Sequence, residues 1–345
     1  MKKYFTLLLL CGVGIAALAQ ENSKTPFLSK SLANENIKNV KASTSGGNIT
    51  VAGVDADPHI EVYISANYGS SKNLSTEEIK NKLYKDYDFS ISVSGETLTA
   101  TAMPKKGYNN WKNGLSISFK VFVPHAVSTN LTTSGGNIDI SSLQGKQNFS
   151  TSGGNLVVDH LSGNIIGRTS GGNVTVSNSQ DEIELTTSGG NIDASNSHGN
   201  IKLKTSGGDV SMQTLNGMIK ATTSGGNVNG NLIEGELFAS TSGGDVKMKE
   251  LSCSLDAATS GGNIHIDMKV LGKYVKLSNS GGDIELQIPQ DKGMDLKLYA
   301  EKIKVNSLAT FKGDVEEHRM EGSLNGGGIP ITVHGGSGKI NLTLK

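Results

Sequence analysis

The sequence predicts an all-β protein, a single-stranded β-solenoid (β-helix) built from 18-residue coils. Three observations predict it. A Ser-Gly-Gly-Asn/Asp motif repeats at a fixed interval, apolar residues alternate in phase with it, and glycine is abundant, with 44 in 345 residues. The serines that begin the regularly spaced copies are Ser134, Ser152, Ser170, Ser188, Ser206, Ser224, Ser242 and Ser260, and further copies begin at Ser45 and Ser280. A fixed period over this many copies is the signature of a repeat architecture, and in-phase apolar residues argue against low-complexity disorder.

The apolar residues of each repeat lie five and three positions before the motif serine and four and six positions after it. The column four positions after the serine is Ile138, Leu156, Val174, Ile192, Val210, Val228, Val246, Ile264 and Ile284. Alternation with polar residues is typical of a strand that buries one face. Each unit is therefore predicted to be two short strands and two turns, with stacked units forming two parallel sheets around a thin core. We expect right-handed winding, by analogy with parallel crossovers.

Glycine marks both predicted turns. One turn is the motif itself, and the other lies eleven positions after the serine, at Gly145, Gly163, Gly199, Gly217 and Gly235. We expect glycine at both because a sharp bend often needs a positive φ. Asp181 and Cys253 are the exceptions in the second column. Cys253 is predicted to be a small residue in a turn column in preference to a reactive thiol.

Two polar columns flank the motif. The residue before the serine is Thr133, Thr151, Thr169, Thr187, Thr205, Thr223, Thr241 and Thr259, then Asn279. Its parity matches that of the buried columns, so the hydroxyls are predicted to point inward and hydrogen-bond along the stack. The residue three after the serine is Asn or Asp in every regular copy. Stacked amides can form ladders, and a row of metal or ligand sites is the alternative interpretation.

The first residues predict export. Residues 1–19 read as a secretory signal peptide, with Lys2 and Lys3, an apolar run and a small-residue cleavage site before Gln20. Lipidation at Cys11 is disfavoured because three leucines precede it. The expected location is periplasmic, outer-surface or extracellular, with no transmembrane segment in the mature chain. Cys253 would then be the one remaining cysteine, so no internal disulfide is expected.

The rest of the chain divides into two predicted parts. Residues 20–133 hold a loose lead-in, one coil around Ser45, and an α+β capping insertion over 54–133. That insertion is predicted to contain a helix over 75–87, begun by a Ser75–Glu78 capping box, strands over 60–64, 89–93, 97–100 and 115–123, and a polar loop with Trp111. Residues 134–345 form the solenoid repeat domain with a C-terminal cap, in which 311–322 is predicted to be a charged loop. The caps are expected because an open solenoid end is an exposed sheet edge.

No catalytic, cofactor-binding or metal-binding residue is predicted. The seven histidines are not at metal-ligand spacing, and no nucleophile elbow or phosphate loop is present. Calcium-binding β-roll repeats need a nine-residue unit, and an ice-binding surface needs outward threonines. A solenoid lyase is the enzyme alternative, yet the outward column five after the serine carries scattered carboxylates. The densest charged patch, Lys202, Lys204 and Lys220 beside Glu184, is interpreted as a solvated face, with an anionic glycan contact as the alternative.

The repeated Thr-Ser-Gly-Gly-Asn/Asp-Ile/Val units, the strand end at Val123-Pro124, the break at Ile288-Pro289 and the run 322–328 resemble the bacterial putative-adhesin domain family. The resemblance covers about residues 40–345 and implies an exported β-solenoid without catalytic residues. The sequence is therefore interpreted as a non-enzymatic adhesin or cell-envelope scaffold that presents a repetitive binding face. The expected partner is a surface glycan or an envelope protein, and no nucleic acid. The alternative is a carbohydrate-active solenoid enzyme of polysaccharide-lyase type.

Overall fold

A computed structural model of the protein describes residues 25–66, 74–108 and 113–345. The predicted signal peptide, Cys11 and Trp111 lie outside the described residues. The predicted helix is present, with its capping box, as α1 (Thr76–Asp86).

The strands before the regular repeats are β1 (Leu28–Ser31), β2 (Asn39–Thr44), β3 (Ile49–Gly53), β4 (His59–Ala66), β5 (Tyr87–Ser94), β6 (Thr97–Pro104), β7 (Leu115–Val123) and β8 (Ser128–Thr132). The repeats contribute β9 (Ile138–Ser141), β10 (Gln144–Ser150), β11 (Leu156–Asp159), β12 (Ser162–Arg168), β13 (Val174–Ser177), β14 (Gln180–Thr186), β15 (Ile192–Lys204), β16 (Val210–Thr222), β17 (Val228–Ser240), β18 (Val246–Thr259) and β19 (Ile264–Asn279). The remaining strands are β20 (Ile284–Ile288), β21 (Met294–Val305), β22 (Phe311–Val315), β23 (Arg319–Leu324) and β24 (Ile329–Leu344). The fold is all-β apart from α1, as predicted.

The repeats stack in two parallel ladders. The pre-motif ladder joins strand segments that lead into each motif, and it pairs Ile165 with Ile183. The post-motif ladder joins segments that leave each motif, and it pairs Val174 with Ile192. Partners in the regular stack lie one repeat apart. From β15 to β19 one strand runs around the second bend and serves both ladders, whereas the sequence predicted two short strands in every coil.

The core follows the predicted apolar columns and adds one more. Nine positions after the motif serine stand Leu143, Leu161, Ser179, Ser197, Leu215, Ile233 and Leu251, all buried. The two serines are satisfied inside: the Ser179 hydroxyl, for example, donates to the Ser177 carbonyl and accepts from the Leu161 amide. This column was missed because it breaks the alternation that predicted the others.

The alternation breaks at a left-handed residue. Eight positions after the serine, φ is between 47° and 57° at Ser142, His160, Asn178, Asn196, Thr214, Leu232 and Glu250. A residue in this conformation turns the chain, so the next side chain points inward again. Three positions later the turn glycines have φ between 103° and 126°. Positive φ at the second turn was therefore predicted correctly, and Cys253 fits that column without one.

The motif glycines have a different cause, and the expected positive φ is absent there among the described residues. A Cβ on the second glycine of the motif would lie 1.9 Å from the carbonyl oxygen of the coil below, as at Gly154 and Gly172. The first glycine is less confined, since a Cβ on Gly171 would have its nearest neighbour at 3.7 Å. Close approach between coils, and not backbone dihedral, requires the second glycine.

The threonine column points inward, as predicted. Each hydroxyl donates to the carbonyl of a motif glycine in the preceding coil, 2.8 Å from Thr187 Oγ1 to Gly172 O, and accepts from the Gly190 amide of its own turn at 3.3 Å. Both partners are main-chain groups inside the bend, so the buried hydroxyl is satisfied without water.

The asparagine ladder differs from the predicted amide stack. The Oδ1 atom of each residue accepts from the backbone N–H of its counterpart in the next coil, 2.8 Å between Asn155 Oδ1 and Asn173 N. Only an oxygen is needed, and Asp serves as well as Asn: Asp209 Oδ1 accepts from Asn227 N at 2.7 Å. These oxygens therefore link neighbouring coils by hydrogen bonds, which argues against a row of metal or ligand sites.

The first coil is intercalated between two others. Strand β2 pairs in parallel with both β6 and β8, and β3 pairs in parallel with both β7 and β9. The coil made by β6 and β7 is thus outermost in the stack, although it follows β2 and β3 in sequence. Antiparallel β5 covers β6, β4 covers β7, and β1 pairs with β4. The expected loose lead-in is therefore partly a strand, followed by the buried Leu32 and Ile37.

The other end has the same arrangement. Strand β24 pairs in parallel with β19 and β20 on one side and with β21 on the other. Strand β21 is then covered by antiparallel β23, and β23 by β22. The predicted charged loop over 311–322 is wrong, because most of that segment belongs to this β22–β23 hairpin. Its alternating charges lie on an edge that faces solvent.

Candidate functional site

The outward side of the post-motif ladder is the candidate binding surface, and we call it the polar face. It consists of the residues five and seven positions after each motif serine. Its central part is Thr175, Ser177, Asp193, Ser195, Ser211, Gln213, Asn229, Asn231, Lys247 and Lys249. All of these residues except Ser177 line a cavity of about 500 Å³, and another of about 350 Å³ continues along the face to Glu285 and Gln287. The strands place one pair of such side chains in every coil.

The charged groups of the polar face are mostly engaged. Lys247 lies 2.7 Å from Asp245, and the His265 ring is 3.0 Å from Glu285. Partial burial opposes ionisation of Asp159, but hydrogen bonds from Ser177, Asn178 and His160 outweigh it and lower the pKa of that carboxyl. What the face offers in its centre is hydroxyl and amide groups, with the Asp193 carboxylate among them.

The charged patch expected around Lys202 lies on the opposite side, on the pre-motif ladder. Glu184 sits between Arg168 and Lys202, with N–O distances of 3.3 and 3.6 Å. The Lys220 ammonium lies 4.9 Å from the centre of the Phe238 ring. The structure brings Lys202, Lys204 and Lys220 onto neighbouring rungs, as predicted, but two of the three already have partners. This favours the solvated-face interpretation.

A larger cavity, which we call the cap cleft, lies where the regular repeats meet the capping insertion. It has a volume of about 850 Å³. Its polar lining includes Lys120 on β7, Thr50 on β3 and Asp139 on β9, and its apolar lining includes Phe27 and Ile79. Burial raises the pKa of the Asp139 carboxyl. Sequence reasoning placed Asp139 in the outward column but missed the cleft, because its walls come from separate segments.

The described part of the chain shows no group of three or more His, Cys, Asp or Glu side chains placed to hold a metal ion. Across the same residues, no helix has the length and apolar character needed to cross a bilayer. Cys253 is buried, and burial raises the pKa of its thiol to about 12. That environment disfavours the thiolate, so Cys253 is a packing residue, as predicted.

The last of the 18-residue repeats lie in a segment that matches a known family model. Residues 237–343, from β17 to β24, match the family model described as Toastrack DUF4097. This segment is therefore similar to Toastrack domains over about a third of the chain. Toastrack folds are β-solenoid-like, and the match is consistent with the resemblance to the putative-adhesin domain family. It covers the last regular coils and the intercalated β24, but not the capping insertion.

Three solved structures were found to be similar to this chain. They are described as a putative cell adhesion protein from Clostridium sporogenes (10% identity, TM-score 0.21, covering 92% of this chain and 98% of that one), a putative lipid binding protein from Parabacteroides distasonis (16%, 0.32, 91% and 96%) and a putative adhesin from Bacteroides fragilis (13%, 0.24, 91% and 96%). Such low TM-scores do not establish a shared architecture. No curated protein matches the chain.

Proposed function

We propose that this protein is exported and acts without catalysis, as an adhesin or cell-envelope scaffold that presents its polar face to a partner. The observation that supports the proposal most is the continuity of that face. From Thr175 to Asn231 every coil adds two polar side chains in the same orientation, on a continuous ladder of parallel strands. A surface of this kind can contact an extended partner at regular intervals. A right-handed winding of the coils belongs to the same proposal.

A surface glycan suits the polar face better than an envelope protein. Hydroxyl and amide groups such as those of Ser211, Gln213 and Asn229 can both donate and accept hydrogen bonds, as sugar hydroxyls do. The centre of the face lacks the large exposed apolar residues that usually anchor protein interfaces. Met218 and Phe238, two of the more exposed apolar side chains, belong to the other ladder.

A glycan array compares the wild-type protein with two variants. The polar-face variant carries Asp193→Ala, Gln213→Ala and Asn231→Ala, and the matched control carries Lys202→Ala and Lys204→Ala on the opposite side. We expect a glycan signal that the first variant loses and the control retains. Equal binding by wild type and the polar-face variant would exclude this face. An array with no binding, together with envelope defects in a deletion strain, would favour a scaffold without a glycan ligand.

The carbohydrate-active alternative is tested by incubating the protein with polysaccharides and measuring new reducing ends or unsaturated products. Reproducible cleavage that Asp193→Asn abolishes would replace the adhesin proposal with an enzyme. Asp139→Asn serves as a second carboxylate variant in the same outward column. If the protein acts without catalysis, as proposed, the wild type and both variants should all leave the polysaccharides uncleaved.

A further inference from the structure

The cap cleft combines two opposite charges that do not neutralise each other. Lys120, Thr50 and Asp139 occupy the same outward position on three adjacent parallel strands, since Thr50 pairs with Lys120 on one side and with Asp139 on the other. Adjacent strands lie about 4.8 Å apart. The two charged residues are therefore separated by about 10 Å at their Cα atoms, two strand spacings.

Neither charge has an ion-pair partner within the part of the chain that the structure describes. The Lys120 ammonium lies 5.0 Å from the centre of the Tyr63 ring. Glu61 stands opposite Lys120 on β4, but its carboxylate accepts the Tyr63 hydroxyl at 2.9 Å. Asp139 is half-buried, and the higher pKa of its carboxyl reflects desolvation without a compensating group.

The rest of the lining is mixed. Ser116 and Ser118 add hydroxyls to the floor, while Phe27, Ile64 and Ile79 add apolar surface. A volume of about 850 Å³ is within the usual range of small-molecule sites. The cleft therefore suits a ligand with charged ends and a compact, partly apolar body.

We propose that the cap cleft binds a small zwitterion whose ammonium group meets Asp139 and whose carboxylate meets Lys120, with the dimensions of an extended tripeptide. An extended chain spans about 3.3 Å per residue, so a tripeptide is about as long as the distance of about 10 Å between the Lys120 and Asp139 Cα atoms. The Lys120 side chain, which lies over Tyr63 on β4, would turn toward β3 to reach the ligand carboxylate. Each end then gains a charge-assisted hydrogen bond. The cleft is distinct from the polar face of the regular coils and does not depend on what that face binds.

Trialanine is the probe, measured by calorimetry or by chemical-shift titration at neutral pH. We expect saturable binding that N-acetylation of the peptide or amidation of its carboxyl end each weakens about tenfold or more, because each removes one charged contact. Asp139→Asn should weaken free trialanine and leave the N-acetylated peptide unchanged. Lys120→Gln should weaken the binding of free trialanine and leave the binding of the amidated peptide unchanged.

The matched control is Asp193→Asn, which removes a carboxylate from the same outward column outside the cleft and should leave trialanine binding unchanged. Circular dichroism checks that each variant is folded. The proposal fails if trialanine shows no saturable binding, if capped and free peptides bind alike, or if the control weakens binding as much as Asp139→Asn. The polar-face variant should bind trialanine as the wild type does, whether or not it has lost glycan binding. The two proposals can therefore fail separately.

Discussion

At the scale of the residue, the two glycines of each motif have different surroundings. The second glycine packs its Cα against a carbonyl of the coil below, whereas the first has ordinary van der Waals neighbours and no positive φ. Since the sequence shows both glycines in every copy, it could not reveal that the stacking contact confines one of them more tightly than the other.

Gly172 and Gly171 provide a matched pair for this difference. Gly172→Ala would place its Cβ 1.9 Å from the Gly154 carbonyl oxygen, and such overpacking typically costs about 1–3 kcal/mol. Gly171→Ala should change the free energy of unfolding by less than about 1 kcal/mol. Chemical denaturation of both variants measures the difference. Equal stability of the two alanine variants would show that the coils are not in contact as described.

A second residue-scale prediction concerns acid stability. The backbone N–H of Asn263 donates to the Asp245 carboxylate, and the Lys247 ammonium lies beside it. Both lower the pKa of the Asp245 carboxyl, and the hydrogen bond from Asn263 has the larger effect. A lowered folded-state pKa contributes stability above the unfolded value of about 4, and that contribution is lost as the pH falls through the folded pKa. In Asp245→Asn the amide oxygen can still accept from Asn263, so only the charge is removed.

The wild type should therefore exceed Asp245→Asn in stability at neutral pH, and the difference should disappear in acid. Denaturant unfolding of both proteins at a series of pH values checks this. A difference that stays constant from neutral to acidic pH would mean that the Asp245 charge does not contribute.

At the scale of the element, the bend after the post-motif strand carries a left-handed residue in seven coils, and none of the seven is glycine. Asn178 and Asn196 tolerate this conformation. Leucine disfavours this conformation, yet Leu232 adopts it with a φ of 56°. A non-glycine residue in this region costs roughly 1–2 kcal/mol. The contacts of the neighbouring coils must therefore offset a local backbone strain at this bend.

Leu232→Asn is expected to stabilise the protein by about 0.5–1 kcal/mol, because asparagine adopts the left-handed conformation more readily. The Leu232 side chain is 40% exposed, so little burial is lost. Leu232→Ala is the control: it shortens the side chain and keeps the strain. The melting temperatures of the three proteins decide, and a destabilised asparagine variant would show that Leu232 packs more than its exposure indicates.

Much of each element could be predicted from alternation. Parity placed Thr187 and its column inside, and the capping box located the start of α1. The column of Leu143 and Leu161 was missed because the left-handed residue resets the alternation. Its signal was nevertheless in the sequence, since most of its members are large and apolar at a constant distance from the motif.

At the scale of the whole molecule, the spatial order of the coils could not be predicted. Periodicity is a local signal and assigns neighbours by sequence order. The coil of β6 and β7 carries no motif, so nothing in its residues indicates that it stacks outside β2 and β3. The cap cleft depends on this swap, because it brings Lys120 beside Thr50 and Asp139. That is why the cleft could not be predicted either.

Cys253 is a reporter of opening of the whole stack. In a Cys11→Ser background it is the only cysteine, and a buried thiol whose pKa is raised to about 12 should react very slowly with Ellman's reagent. In concentrated guanidinium the thiol should react at once. Gly172→Ala, more than four repeats away along the chain, should accelerate labelling if the stack opens cooperatively. Unchanged labelling in that variant would indicate that coils open independently.

The intercalated ends also bear on how the molecule carries tension. In a simple stack, a pull on an end coil peels it away rung by rung from its single neighbour. Here a pull on Asn39 or Leu344 acts on strands that are hydrogen-bonded on both sides. Two rows of bonds must then be loaded together before either strand moves. A stack held at these two points would therefore resist being drawn out more than one whose end coils each have a single neighbour.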